Sequence, residues 1–100
     1  MAVDIHAVMI AEYERELEPI CVEIAQQNSA LELFKSMDPN DKAGERDAVI
    51  AGQPAKVSVT AKDAIKNCEE FLDKAIQHRD ILIKLIAKAN EDQAAAQKNV

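Results

Sequence analysis

The segment DIHAVMIAEYERELEPICVEIAQQNSALELFKSM, residues 4–37, spaces its apolar side chains as a helix must if it is to bury one side. Val3, Ile10, Leu17, Ile24 and Leu31 recur every seven residues, and Tyr13, Ile20 and Phe34 fill the offset position between them. At about 3.6 residues per turn these positions line up as one stripe along a cylinder. Asp4 is a competent N-cap at the start, and Asp38-Pro39-Asn40-Asp41 supplies turn chemistry at the end. Pro19 removes one backbone hydrogen bond and crowds the carbonyl of Arg15, so a kink is expected there. The stripe keeps its phase across Pro19, which favours one kinked helix over two separate ones.

A second stripe runs through Ile65, Cys68, Leu72, Ala75, Leu82, Ile86 and Ala89. Thr60 stands where an N-cap belongs, with Asp63 at the acidic position of a capping box, and neither Pro nor Gly follows. A helix over 60–92 is expected, with a frayed tail over 93–100, where good helix formers carry almost no apolar surface. The connection, residues 38–59, is longer than a structureless loop inside a compact domain usually is. Within it, Glu45–Ala51 reads as a short helix stopped by Gly52 and Pro54, and Lys56–Thr60 alternates like a short extended segment.

The two long helices have similar lengths and are expected to fold back antiparallel, with residue 37 opposite residue 60. That register sets Glu12, Glu14, Glu16 and Glu18 across from Arg79, Lys84 and Lys88, and Glu32 near Lys62 and Lys66. Each exposed pair contributes only about 0.3–0.5 kcal/mol, but like-sign pairing would cost a similar amount, so the pattern favours a hairpin over a parallel arrangement. The expected fold class is therefore all-α: a single domain over residues 1–100, built as an antiparallel helical hairpin. Ala64, Phe71, Ile76, Ile83 and Leu85 flank the second stripe, more apolar surface than one seam covers, so two hairpins are expected to pair as a homodimeric four-helix bundle.

Composition narrows function mainly by exclusion. The chain has 100 residues, 48% hydrophobic, and a net charge of −6. Residues 1–50 carry 11 acidic and 4 basic side chains, and residues 51–100 carry 7 and 8. Binding to nucleic acid or an anionic membrane needs clustered Lys and Arg, and none is present, so neither partner is expected. No stretch approaches the roughly 20 apolar residues that span a bilayer, and no secretory signal is recognisable. Cys21 and Cys68 lie far apart without disulfide-scaffold or zinc spacing, which points to packed thiols in the cytoplasm.

No catalytic, cofactor or metal set can be assembled. Neither His6 nor His78 has a Glu three residues before it or a second His four away, so helical metal motifs are not met. The alternating glutamates are 200° apart on a helix and spread around it rather than pairing for acid–base work. Gly44 and Gly52 do not form a phosphate-cradling loop. Gln27, His78 and Arg79 interrupt the stripes, where polar residues set register at some cost in stability. The expected function is a non-enzymatic helical interaction module, an adaptor, assembly or chaperone-like protein. It would associate with itself or another protein helix through Phe71, Ile76, Ile83 and Leu85. The alternative is a structural subunit of a phage particle or bacterial export apparatus, and a small enzyme or ligand-binding bundle comes third.

Overall fold

A computed structural model describes residues 3–98. The order of elements is helix α1 (Ile5–Lys35), strand β1 (Lys42–Ile50), strand β2 (Gln53–Thr60) and helix α2 (Ala61–Lys98). The all-α expectation, and the four-helix bundle built on it, are overturned: the connection holds a two-stranded antiparallel sheet. Glu45–Ala51, expected as a short helix, is almost entirely strand, whereas the alternating Lys56–Thr60 segment is extended as its pattern suggested.

Pairing explains the difference. Arg46 opposes Val57, Asp47 opposes Lys56, and Ala48 opposes Ala55, so the β-branched second strand supplies a template for a first strand with little β preference of its own. An ion pair between Lys56 Nζ and Asp47 Oδ1 at 2.5 Å ties the exposed side. Ala51 and Gly52 both take positive φ, 51° and 79°, which makes the two-residue turn whose twist matches paired strands. Ala43 is an extra residue between the Lys42–Thr60 and Gly44–Val59 pairs, forming a bulge. Pro54 is tolerated because β2 has no second neighbour in this sheet.

The base of the hairpin is clasped. Asn40 N donates to Asp38 Oδ1 at 2.9 Å and Asp41 N to the Asp38 carbonyl at 3.0 Å, closing the Asp-Pro-Asn-Asp turn. Ala61 N then donates to the Asp41 carbonyl at 2.8 Å and Lys62 N to the Pro39 carbonyl at 3.0 Å, while Asp63 N donates to Thr60 Oγ1 at 3.3 Å. Three amides that open α2 are thus satisfied, and Thr60 caps the helix as expected. α1 ends at Lys35 rather than 37, and Ser36 Oγ donates to the Leu33 carbonyl at 2.6 Å. α2 continues to Lys98 instead of fraying after residue 92, as the helix propensity of Gln93–Gln97 allows. The last two residues of the expected tail lie outside the described residues.

The chain divides into two compact units: one joins the chain up to Ile24 with the chain from Lys74, and the other is Ala25–Asp73. In the first, Ile10, Tyr13, Leu17 and Ile20 of α1 are half-buried and Leu82 and Ala89 of α2 are buried. Gln93 Nε2 donates to Asp4 Oδ2 at 2.8 Å, the register that follows from setting residue 37 opposite residue 60. In the second, Phe34, Ala43, Val59, Ala64 and Cys68 line a common cavity, so the hairpin packs against the adjoining helix ends. Among the described residues the buried apolar set is Ile24, Ala61, Ala64, Cys68, Leu72, Leu82 and Ala89. Ile24, Leu82 and Ala89 belong to the first unit and Ala61, Ala64, Cys68 and Leu72 to the second, so each unit buries few large side chains. Pro19 sits inside a continuous α1.

Candidate functional site

The polar residues that interrupt the stripes have distinct surroundings. Gln27 is half-buried, and the buried Cys68 thiol donates to its Oε1 at 3.3 Å, so two seam positions are joined through a weak polar contact. Arg79 is half-buried at a seam position and turns its guanidinium outward, with Nε and Nη2 each 3.2 Å from Asp80 Oδ1. His78 is exposed. The cations Lys42, Lys56, Arg79 and Lys88 pair with acids of the hairpin or of their own helix. No ion pair joins α1 to α2 among the described residues, so the charge alignment used to choose the register does not resolve into direct contacts.

Phe71, Ile83 and Leu85 are exposed, and Ile76 is half-buried. Helix geometry divides them: Phe71 and Leu85 share a row with His78 on one flank of the inward stripe, and Ile76 and Ile83 form a row on the other. The four do not make one patch. Further exposed apolar residues lie outside the expected surface: Ile5, Val8, Val22 and Leu33 on α1, and Val49 and Ile50 beside the hairpin turn. A polarity count along α1 could have found the first set, because that helix is apolar on more than its inward side whereas α2 is more one-sided.

Two titratable groups are shifted, one at the start of α1 and one within α2. Gln93 and the amides of Ala7 and His6 hold the Asp4 carboxyl below its ordinary value, with Asp4 Oδ1 accepting from His6 N at 3.0 Å and Ala7 N at 3.2 Å. Asp92, four residues on, holds the Lys88 ammonium above its ordinary value. A cleft beside the hairpin is lined by Arg46 and Lys66 against Asp63 and Glu70, with Ser58 and Asn67 between them, so its charges balance. Among the described residues no group of three or more His, Cys, Asp or Glu is placed to hold a metal ion. No described helix is long and apolar enough to cross a membrane.

Comparison with protein-family models, with the curated proteins and with the solved structures returns no match.

Proposed function

We propose that this protein is a non-enzymatic interaction module that works by helix–helix association, first with a second copy of itself and then with a helix of another protein. The observation that supports this reading is the exposure of large apolar side chains along both helices. Exposed apolar residues scattered singly need no explanation, but rows at helical spacing are the form a helix-binding surface takes. The acidic first half of the chain would steer the later encounter with a helix of another protein, towards one that carries basic side chains. Two unpaired thiols, one exposed and one packed, fit a reducing compartment, and we place the protein in the cytoplasm.

The test is mass in solution. Light scattering from about 1 to 100 micromolar is expected to rise towards twice the 11.0 kDa chain mass. A well-folded monomer across that range would overturn self-association. The second reading, a structural subunit, is favoured by the apolar residues exposed on two helices and beside the turn, since several surfaces allow contacts that do not close. Open-ended or large species in the same measurement would select it.

A further inference from the structure

The outward side of α1 carries a row whose pattern is its own mirror. Ile5, Val8, Glu12, Arg15, Pro19 and Val22 are spaced by three, four, three, four and three residues, which places all six on one face, turned away from the inward stripe. All are exposed, the three large apolar members by 68%, 46% and 50% for Ile5, Val8 and Val22. Read from either end, the row runs apolar, apolar, charged, charged, apolar, apolar, and the two central charges are opposite.

We propose that this face binds a second copy of the chain, antiparallel, about a two-fold axis passing between Tyr13 and Glu14. The inference rests on the self-association proposed above and names its surface. Under that axis Ile5 meets Val22 of the second copy, Val8 meets Pro19, and Glu12 meets Arg15, each contact occurring twice because a two-fold interface is isologous. A parallel pairing would instead set Glu12 against Glu12 and Arg15 against Arg15, which electrostatics disfavours. Both central charges are free to engage: among the described residues Glu12 has no ion-pair partner, and Arg15 Nε reaches only the carbonyl of Ala11, at 3.4 Å. An open hollow lined by Glu12, Tyr13, Arg15, Glu16 and Pro19 lies near the level of the axis, on the flank between this row and the inward stripe. Its lining comes from one helix and none of it is buried, so it suits side chains from an opposing helix better than an enclosed small molecule. Six positions over roughly 27 Å of helix make a small interface, so a micromolar dimer is expected.

Charge reversal provides the test, read by sedimentation equilibrium of the full chain with circular dichroism confirming helix content. Glu12→Arg alone and Arg15→Glu alone each place like charges across the axis and should weaken dimerisation at least about tenfold. The double variant Glu12→Arg/Arg15→Glu restores opposite charges and should return the dissociation constant to within about threefold of the parent. Val22→Glu should also weaken the dimer. Single reversals without effect, or a double variant no better than the singles, would overturn this interface. If Phe71→Ala/Leu85→Ala separates a dimer that the α1 variants leave intact, the second copy sits on α2, and this inference fails while self-association stands. A parent chain that is monomeric throughout sinks both.

Discussion

At the scale of single residues, Asp4 and the turn pair Ala51-Gly52 carry the most specific consequences. Asp4 accepts two α1 amides and the Gln93 side chain, and its carboxyl is more acidic in the folded chain than in the unfolded one. Its contribution is therefore complete above the ordinary value of 3.8 and disappears as pH falls through the lower folded value. Thermal unfolding of the parent should lose more stability between neutral pH and about pH 3 than unfolding of Asp4→Asn, which keeps a capping oxygen but has no proton to gain. Equal losses would show that the carboxylate charge at this helix end is irrelevant. Ala51 has a Cβ in the left-handed region, which a non-glycine residue enters at a cost. Ala51→Asn should raise stability by about 0.5–1 kcal/mol, and Gly52→Val should lower it by about 1–3 kcal/mol, measured by chemical denaturation. The first change relieves strain and the second creates it, so the opposite order of effects would rule out the two-residue turn.

At the scale of elements, the seam between the helices is narrow enough for individual positions to matter. Leu82 is 3% exposed, and Leu82→Ala removes one of the few large side chains that the seam buries. A loss of about 2–4 kcal/mol is expected, a large share of the stability of a small domain. Gln27 presents the opposite case, since its amide is held in the seam by a thiol, a poor donor. Gln27→Leu should raise the unfolding free energy by about 1 kcal/mol and leave helix register less tightly specified, visible as exchange broadening in NMR spectra. A fall in stability would mean that the Gln27 amide contributes more than apolar packing does. The hairpin shows how an element restrains itself: the Ala43 bulge, the charges of Glu45, Arg46 and Asp47, and Pro54 lie along its two unpaired edges, all features that discourage further strand addition. The helices, more than the sheet, therefore offer the surfaces suited to association.

At the scale of the whole molecule, the two long helices were legible because their heptad stripes are long and because Thr60 and Asp4 announce their starts. The extended segment Lys56–Thr60 was legible from alternation. Its partner strand was not: Lys42–Ala48 contains no β-branched residue, Glu45–Asp47 is fully charged, and Ala-Gly is a weaker turn signal than Asn-Gly. Only the neighbouring strand makes that segment extended, and tertiary pairing is invisible to a local reading. The α1 row was hidden for another reason. Glu12 and Arg15 break its apolar run, and their meaning emerges only when the row is laid against a reversed copy of itself.

The clasp at Asp38–Asp41 bears on the order in which the chain folds. A two-residue turn followed by local strand pairing forms on the microsecond scale. Once it closes, the carbonyls of Pro39 and Asp41 lie against the amides of Lys62 and Ala61, and the segment separating the helices in sequence behaves as a short tether. The entropy of closing that loop is then largely spent before the stripes meet, so helix pairing can zip outward from the hairpin by contacts between successive neighbours. The clasped hairpin thus shortens the chain that separates the two helices and lowers the entropy cost of bringing them together.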